Sequence, residues 1–562
     1  MKIARTLHDA LTQAARADAG YWFVAPSNAD NAGSHVYRSY ADLRERSLRV
    51  ASALRGAGVR TGDLVALVLP DAEQFLTALF GASFAGATPA SLYPPVTVAD
   101  VPRYVELTGS ILRAAAARAV VTTPALATEF ESARSSCPDL MFVLSFDALD
   151  APPLHDVPPC SLDAIAFVQF TSGSTSAPKG VALSHRNVAA NVDAINGPAG
   201  LGTGADDVAV SWLPLNHDMG FVGMALGPLS STRPGVLLTP QAFVKRPVEW
   251  LRAITRYRGT ISFAPNFAYD LCVRRVKDRD LDGLDLSSWR IAGCGAEPIH
   301  GPTLAAFAEK FAPVGFHSSS FLPCYGLAEH VLAATLPRRG RPTRTNVVSA
   351  DALTSQRIAV PANGCDRAMT LVACGTALPD HQLRIVDNDG RDVADRHVGE
   401  IVLAGPSVML GYYRQPALTA DAIRDGWLHT GDLGYVDGGE LFVCGRSKDV
   451  IIANGRKYHP QDLEWAVDDL AGARRGRSVA FAVSEAGRPD RVVVVVESSG
   501  TSASEALTTA VRRRVGDLFG LYVDEVAIVP SGTVARTTSG KVQRALTRER
   551  YQQLVESGFS CD

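Results

Sequence analysis

The sequence predicts an α/β protein with more than one domain. Short apolar runs rich in β-branched residues recur with helical segments between them: DLVALVLP, AVVTTP, AIAFVQF, DVAVSWLPL, GVLLTP, TISFAP and WRIAGCG. Strands that alternate with helices form parallel sheets that are covered on both faces. A chain of 562 residues also exceeds one compact core, so two or more domains are expected.

The pattern changes after about Leu378. Shorter runs bounded by turns follow, HQLRIVDNDG, GEIVLAG and GYVDGGELFVCGR, and they predict hairpins and a small barrel-like sheet. From about Ser447 the chain returns to mixed helices and strands, with SVAFAV, RVVVVVES and DEVAIVP. The end of the chain is therefore predicted to form a further unit with both helices and strands.

Composition excludes several classes of protein. With 46% hydrophobic residues, 20% charged residues and a net charge of -3, the chain is typical of soluble globular proteins and lacks the charge excess of a nucleic-acid-binding protein. Its nine cysteines are scattered without the paired spacing of a metal site. This favours reduced thiols in a cytoplasmic protein over a disulfide framework.

Two segments bear on export and membrane insertion. The N-terminus places Ile3, Leu7, Leu11 and Ala14 at helical spacing and carries Asp9, so it lacks the apolar block of a signal peptide. Residues 74–99 carry no charge, but their prolines and polar residues predict a buried helix plus turn. Neither export nor a membrane span is expected.

The loop FTSGSTSAPKG, residues 170–180, concentrates small hydroxyl residues between a predicted strand and a predicted helix. Backbone N–H groups and hydroxyls in such a loop can point at one centre, which suits a polyphosphate. Lys179 would add a point charge, although the order of Gly173, Lys179 and Gly180 does not fit a Walker loop. A flexible serine-rich surface loop is the alternative, and the loop alone does not decide.

Further motifs follow in a fixed order: GCGAEP (293–298), PCYGLAEH (323–330), WLHTGDLGYVD (427–437), GRSKDVIIANGRKYHPQDLE (445–464) and TTSGKVQR (537–544). Together they resemble the motifs of the adenylate-forming superfamily of acyl ligases and adenylation domains. WLPLNHDMGFVG (212–223) and APNFAYDLCVRR (264–275) look most like segments of fatty acyl-AMP ligases. Asn216 and Cys294 depart from that pattern, which has an aromatic residue and an asparagine there.

The resemblance implies a domain arrangement. We expect a large N-terminal domain, residues 1–445, built from two α/β subdomains and a small β-barrel-like subdomain. A hinge at residues 446–449, centred on Lys448, would join it to a small mobile α+β C-terminal domain, residues 450–562. In such enzymes the small domain rotates between two half-reactions.

The resemblance also implies a site for ATP and Mg²⁺. The phosphate loop corresponds to Thr171, Ser172, Gly173, Ser174, Thr175 and Lys179. The adenine pocket corresponds to Gly295, Ala296, Glu297 and Pro298, with Tyr325 stacking on the base beside Gly326. Asp432 would accept the ribose hydroxyls and Arg446 would contact ribose or phosphate. Glu329, with Thr171, would bind the metal.

Three of these residues also have an ordinary structural interpretation. Tyr325 could be a core residue, Glu329 a solvated helix cap and Asp432 part of an unremarkable turn. The residues alone do not decide between these interpretations and the roles that the resemblance implies.

The resemblance also implies two single residues and one set of residues that would contact the acid substrate. Lys541 corresponds to the lysine that reaches the carboxylate and the α-phosphate, although an exposed lysine is usually only solvated. His217 corresponds to a histidine that gates the pocket, with a structural histidine as the alternative. The acyl pocket is predicted at Asn266, Phe267, Phe221 and Met224. Its aromatic and small residues, where amino-acid adenylation domains place an aspartate, favour an apolar tail.

A segment of 45 residues separates Glu329 from Gly375. Fatty acyl-AMP ligases carry an insertion here that is thought to hinder transfer to CoA, whereas a tolerated surface-loop insertion is the alternative. The resemblance therefore predicts an enzyme that makes a fatty acyl-adenylate and passes the acyl group to the phosphopantetheine thiol of an acyl carrier protein. A monomer is expected, although the sequence does not reveal the oligomeric state. A fatty acyl-CoA ligase and a non-catalytic binding protein are the competing hypotheses.

Overall fold

The computed structural model describes residues 5–25, 34–95, 101–171, 179–364, 367–453, 456–483, 491–498, 504–537 and 540–557. Among these residues, no helix is both long and apolar enough to cross a bilayer. Seven cysteines lie in the described ranges, and all seven are free thiols.

The first part of the chain builds a parallel sheet covered on both faces. This part of the chain contains, in order, α1 (Leu7–Ala14), β1 (Gly20–Val24), β2 (His35–Ser39), α2 (Tyr40–Gly56), β3 (Leu64–Val68), α3 (Ala72–Phe84), β4 (Thr88–Ser91), α4 (Val101–Ala114), β5 (Ala119–Thr122), α5 (Pro124–Ala133), β6 (Phe142–Ser145), β7 (Ile165–Thr171), β8 (Lys179–Ser184) and α6 (His185–Asn196). Strands β1 and β2 belong to the second sheet, described next. Strands β7-β4-β3-β5-β6 run parallel, and β8 joins antiparallel to β7. Val65 and Leu67 pack on one face of β3, while Leu64 and Ala66 pack on the other. Both faces are thus apolar, as predicted.

The next part completes a second seven-stranded sheet. It contains β9 (Ala209–Ser211), a π-helical segment (Met219–Leu226), α7 (Gly227–Ser231), β10 (Gly235–Leu238), α8 (Pro240–Lys245), α9 (Val248–Tyr257), β11 (Ile261–Ala264), α10 (Asn266–Arg275), β12 (Ile291–Cys294), α11 (Gly301–Phe311) and β13 (Phe321–Pro323). The strand order is β13-β12-β11-β9-β10-β1-β2, parallel except for the edge strand β2. The seven runs that open the sequence analysis all form strands of these two sheets.

Short antiparallel strands follow. They are β14 (Tyr325–Gly326), β15 (Ala333–Leu336), β16 (Thr345–Ser349), β17 (Ala368–Val372), β18 (Thr376–Ala377), β19 (Gln382–Val386), β20 (Gly399–Ala404), β21 (Gly411–Tyr412), β22 (Ile423–Arg424), β23 (Trp427–Asp437) and β24 (Glu440–Arg446), with α12 (Pro416–Ala422). Strands β19, β20, β22, β23 and β24 form the predicted antiparallel sheet, with β23 and β24 as a hairpin. Strand β21 crosses to the first sheet and pairs with β8.

The C-terminal part has cores of its own. It consists of β25 (Ile451–Ala453), β26 (Arg456–Tyr458), α13 (Pro460–Val467), β27 (Ala473–Val483), β28 (Arg491–Ser498), α14 (Ser504–Phe519), β29 (Glu525–Val529) and α15 (Arg544–Glu556). Val492 and Val494 face one apolar cluster of the sheet β27-β28-β29, and Val493 and Val495 face another. This matches the predicted α+β unit, whereas the exact boundaries 1–445, 446–449 and 450–562 and the mobility of the unit stay predictions.

Some elements were not predicted. Residues 74–99 were expected to form a buried helix plus turn, and they form most of α3 and then the strand β4. The N-terminal helix has the expected buried face of Leu7, Leu11 and Ala14, and it begins with a capping box at Thr6. Ile3 lies outside the described residues.

Candidate active site

The carboxyl edge of the second sheet gathers four of the motifs. Strands β13, β12, β11 and β9 are adjacent and parallel, so the segments that follow them leave the sheet at one edge. These segments carry His217, Asn266, Glu297 and Tyr325. In open α/β sheets this edge is where ligands bind. The fold therefore explains why motifs far apart in sequence can serve one site.

Asp432 lies at the centre of a buried polar contact. Its Oδ2 accepts a hydrogen bond from the Tyr325 hydroxyl at 2.7 Å, and its Oδ1 lies 3.0 Å from Nε of Arg446. Asp432 and Arg446 are cross-strand partners on β23 and β24. Burial, followed by the Asp432 charge, raises the pKa of Tyr325 well above its ordinary value. The structure thus brings together Tyr325, Asp432 and Arg446, three residues predicted to contact the nucleotide. Stacking of Tyr325 on the base stays a prediction.

Glu329 lies in a short 3-10 turn, Ala328–His330, and meets a tyrosine from another strand. Its Oε1 accepts a hydrogen bond from the Tyr412 hydroxyl at 3.0 Å. The ammonium of Lys179 lies 4.7 Å from the centroid of the same Tyr412 ring. A cation over an aromatic face is attracted by the ring quadrupole. Tyr412 therefore connects the predicted metal carboxylate to the predicted phosphate lysine.

Most of the phosphate loop lies outside the described residues. Ser172, Gly173, Ser174 and Thr175 belong to the gap at 172–178, and of Thr171 only the backbone is described. Thr171 ends β7 and pairs with Lys179 at the start of β8. The flanking strand and the following helix α6 agree with the prediction, and the roles of the loop residues stay predictions.

The predicted adenine wall, Gly295 to Pro298, contains one strained backbone and one half-buried carboxylate. Ala296 has φ of 69°, in the left-handed region. Glu297 Oε1 accepts a hydrogen bond from the backbone N–H of Phe267 at 2.6 Å. Burial raises the pKa of Glu297, while that hydrogen bond and the charges of Arg536 and Lys541 oppose the rise.

His217 pairs with an aspartate that the sequence analysis did not single out. His217 Nδ1 lies 2.7 Å from Asp218 Oδ1, and the same oxygen accepts from the backbone N–H of Met219 at 2.7 Å. Burial alone would raise the pKa of Asp218, but the charges of His217 and Lys541 hold it well below its usual range. Asp218 also caps the π-helical segment, a type of helix that is frequent at functional sites.

Lys541 faces this edge of the sheet from the C-terminal part. Burial lowers its pKa, and Asp218 is the first of the charges that oppose this effect, followed by Glu297 and Asp432. Arg446 acts in the same direction as burial. The ammonium thus lies in the electrostatic field of three predicted or newly found site carboxylates. Lys541 is therefore not an ordinary solvated surface lysine, although its catalytic role stays a prediction.

The predicted acyl pocket divides into two groups. Phe221 is fully buried, with its ring centroid 5.0 Å from that of Phe167 and 5.8 Å from that of Phe75, and its part in the acyl pocket stays a prediction. Met224 is buried in the other large core cluster. Asn266 and Phe267 instead begin α10 at the sheet edge, where Asn266 Oδ1 accepts from the backbone N–H of His300 at 3.0 Å.

The predicted hinge residue Lys448 lies in a 3-10 turn, Ser447–Asp449, between β24 and β25. Its neighbour Asp449 forms an ion pair with Arg544 at 3.1 Å, and Arg544 pairs with Glu464 at 2.7 Å. These contacts connect the turn to the segment that follows Lys541.

Asp218 and Tyr412 are the site residues that sequence reasoning missed. Asp218 had a signal, because an aspartate directly before an apolar run such as MGFVGMAL is a common helix N-cap. Tyr412 had none, because its contact with Glu329 spans 83 residues of chain.

Comparison with known proteins assigns the family. Residues 13–413 match the family model described as AMP-binding enzyme, and residues 448–556 match one described as Disco-interacting protein 2-like, AMP domain. The first match covers well over half of the chain, so the chain belongs to the AMP-binding, adenylate-forming enzymes.

Individual relatives narrow the class. A putative acyl-CoA synthetase of Caulobacter vibrioides is 37% identical over 521 residues, covering 91% of this chain and 90% of its own. The medium-chain-fatty-acid–[acyl-carrier-protein] ligase JamA of Moorena producens is 33% identical over 533 residues, covering 91% and 89%. A solved structure from a study of the fatty acyl-adenylate ligases of E. coli and L. pneumophila matches with a TM-score of 0.92 at 35% identity, over 98% of both chains. The protein is thus an ATP-dependent acyl-AMP ligase of the fatty acyl-AMP ligase group.

Proposed function

We propose that this enzyme activates a fatty acid as its acyl-adenylate and transfers the acyl group to the phosphopantetheine thiol of an acyl carrier protein. In the first half-reaction a carboxylate oxygen of the acid attacks the α-phosphorus of ATP. The bond to the β-phosphate oxygen breaks, and pyrophosphate leaves with the electron pair. In the second, the thiol loses its proton and attacks the acyl carbonyl, and AMP leaves.

Positioning and charge stabilisation carry this chemistry, because it needs no covalent enzyme intermediate. We assign Lys541 to the developing charge on the carboxylate and α-phosphate oxygens. Arg446 and Asp432 would hold the ribose, and Lys179 with the loop that precedes it would hold the phosphates. The charges of Asp218, Glu297 and Asp432 act on the Lys541 ammonium, and Gly540, directly before it, lies against Phe267 at the sheet edge; both observations support this assignment.

Mg²⁺ fits the residues around Glu329. One of its carboxylate oxygens accepts from Tyr412, and the other has no hydrogen-bond partner among the described residues. A carboxylate oxygen is the hard ligand that Mg²⁺ prefers, and the ion usually completes its shell with substrate phosphates and water. Bound there, with Thr171 as the second proposed ligand, the metal would supply charge neutralisation of the phosphates.

The choice of acceptor rests on the 45-residue segment between Glu329 and Gly375. Its strands β16 and β17 pair as a hairpin. Arg344, directly before β16, forms ion pairs with Asp437 at 2.5 Å and Glu440 at 3.2 Å, which anchor the segment to the hairpin β23–β24. Arg367, directly before β17, donates from Nη1 to the carbonyl oxygen of Leu518 in α14 at 3.0 Å.

The Arg367–Leu518 hydrogen bond is the observation that carries the proposal. This bond joins the segment to the C-terminal unit, and Arg344 joins the same segment to the hairpin β23–β24. A rotation of the C-terminal unit into a second arrangement would break this bond. A ligase restrained in this way is less suited to free CoA than to a carrier protein that brings its own binding surface.

Product analysis tests the proposal. The enzyme is incubated with ATP, Mg²⁺ and a panel of fatty and aryl-alkanoic acids, first alone and then with CoA or a holo acyl carrier protein. We expect pyrophosphate exchange with fatty acids and acyl transfer to the carrier protein. Failure with every fatty acid would reject the substrate class. Rapid acyl-CoA formation would favour the alternative, a fatty acyl-CoA ligase.

A variant sharpens the test of the acceptor. Arg367→Ala removes the bond to Leu518, and Arg341→Ala changes an exposed arginine of the same segment as a matched control. We expect Arg367→Ala to raise acyl-CoA formation several-fold while pyrophosphate exchange stays unchanged, and Arg341→Ala to do neither. Equal acyl-CoA formation in both variants and the wild type would show that this bond does not select the acceptor.

A further inference from the structure

Gly540 lies against the aromatic ring of Phe267. A Cβ atom built on Gly540 would lie 2.4 Å from both Cε1 and Cζ of Phe267, far inside van der Waals contact. Gly540 also has φ of 86°, a backbone that favours glycine. It directly precedes Lys541, so this contact joins the described part of the lysine loop to the N-terminal part.

The described residues of the lysine loop hold one another in place. Arg536 donates from Nη1 to the carbonyl oxygen of Gly540 at 2.5 Å. The backbone N–H of Thr537 donates to the carbonyl oxygen of Lys541 at 2.8 Å, and the N–H of Lys541 donates to the Thr537 hydroxyl at 3.0 Å. A loop closed by such bonds cannot easily shift to accommodate an added methyl group at residue 540.

Phe267 is equally well fixed on its own side. Its backbone N–H donates to Glu297 at 2.6 Å, which connects it to the predicted adenine wall. Its ring packs edge-on to Trp212, with centroids 6.0 Å apart. Phe267 is also a predicted residue of the acyl pocket. Phe267 therefore contacts the adenine wall through its backbone N–H and the loop of Lys541 through its ring.

We propose that Phe267 is a positioning residue, and that its ring is the seat on which Gly540 docks to hold Lys541 in the place needed for acyl-adenylate formation. This inference rests on the proposed role of Lys541. The seat acts on the first half-reaction, because only that step needs the ammonium beside the α-phosphate. Transfer from a preformed acyl-adenylate does not depend on it.

A size-swap experiment tests the seat. Gly540→Ala places a methyl group against the ring, and Phe267→Leu removes the two atoms that it would strike. Gly532→Ala is the matched control, because Gly532 also has a positive φ, 95°, but a Cβ there meets no atom within 4 Å. Each half-reaction is followed separately, as pyrophosphate exchange and as transfer from supplied acyl-adenylate to the holo carrier protein.

We expect Gly540→Ala to lower pyrophosphate exchange at least about tenfold and transfer by less than about twofold. The double variant Gly540→Ala/Phe267→Leu should recover most of the exchange relative to Phe267→Leu alone. Gly532→Ala should leave both steps near wild type. Equal losses in both half-reactions, or no recovery in the double variant, would overturn the proposal.

A readout without catalysis separates this inference from the ligase assignment. Docking protects the peptide bond after Lys541, so trypsin should cut there faster in Gly540→Ala, and Phe267→Leu should restore protection. Mass spectrometry of the fragments measures the rate. Unchanged cleavage would reject the seat even if the enzyme made acyl-adenylate, and changed cleavage would support it whichever acid the enzyme activates.

Discussion

Arg446 reaches across the hairpin β23–β24 to Asp432, with Nε 3.0 Å from Oδ1, although the arginine side chain is 58% exposed and the aspartate only 8%. The opposite oxygen of Asp432 is held by the Tyr325 hydroxyl. A carboxylate fixed from two sides has little rotational freedom left. It is therefore preorganised to accept hydroxyl groups, which is what a ribose requires.

Asp432→Asn is expected to weaken ATP binding more than it slows turnover. The amide keeps the shape and can still accept from Tyr325, but it loses the charge that pairs with Arg446. We expect the KM for ATP to rise at least about tenfold, since a hydrogen bond to a charged group is worth about 1.5–3 kcal/mol. Tyr325→Phe, which leaves the charge in place, should have a smaller effect. An unchanged KM in both variants would contradict the ribose assignment.

Lys541→Met is expected to abolish pyrophosphate exchange without destabilising the protein. Burial lowers the pKa of Lys541, so folding disfavours its charged form, and removing that charge should not lower the thermal midpoint at neutral pH. In the wild type, exchange should fall as pH rises through the lowered pKa, below the ordinary lysine value. Activity that survives in Lys541→Met would refute the catalytic assignment.

Much of the fold is readable from the sequence. The runs that became β3, β5, β10 and β12 are short and apolar, because both faces of their sheets are buried. Strand β4, TPAS, was not predicted, since it contains Pro89 and has no alternating pattern. Its extended state comes from its neighbours β3 and β7, which pair with it on either side.

Tyr412 offers a way to separate two contacts of the phosphate region. Tyr412→Phe removes the hydrogen bond to Glu329 but keeps the ring beneath Lys179, whereas Tyr412→Leu removes both. We expect Tyr412→Phe to raise the Mg²⁺ concentration needed for half-maximal pyrophosphate exchange. Tyr412→Leu should in addition raise the KM for ATP. Identical kinetics in the two variants would show that the ring itself contributes nothing to phosphate binding.

The candidate site was less readable than the fold. Glu329 and Asp432 were found through their motifs, because a glutamate in a turn or an aspartate after a glycine has no distinctive chemistry by itself. The structure adds the contacts between motifs, such as that of Tyr325 with Asp432 across 107 residues of chain. Periodicity carries no information about such pairs, since they arise only when separate sheets are packed together.

His330 makes stability depend on pH. It is fully buried beside Glu329, its Nδ1 lies 3.0 Å from the carbonyl oxygen of Ala333, and burial followed by the nearby His381 lowers its pKa to about 4. The unfolded value is 6.5, so the stability that this shift contributes is complete above pH 6.5 and is lost as pH falls towards 4. The loss amounts to about 3 kcal/mol for this one group.

His330→Gln, which cannot be protonated, should reduce the dependence of unfolding free energy on pH between these values by up to one proton. Chemical denaturation at several pH values measures it. His317→Gln changes an exposed histidine and serves as the control. Parallel pH profiles for wild type and His330→Gln would contradict the low pKa.

Val331 ends the turn that contains Glu329, and the backbone of Val331 is itself strained. Its φ of 65° and ψ of -61° are rare for a β-branched residue, and the N–H of Leu332 donates to the carbonyl oxygen of His330 at 2.8 Å, as in a γ-turn. Such a backbone costs about 1–3 kcal/mol and persists only where its surroundings enforce it.

Comparing Val331→Ala with Val331→Gly isolates the backbone. Both variants lose the buried valine side chain, but glycine alone relaxes the strain, so it should escape the usual penalty of about 0.4–1 kcal/mol relative to alanine. We expect the glycine variant to be at least as stable as the alanine variant in thermal unfolding, yet several-fold slower in pyrophosphate exchange, because the freed turn no longer fixes Glu329. If the glycine variant were the less stable of the two and equally active, the strained turn would have no part in orienting this carboxylate.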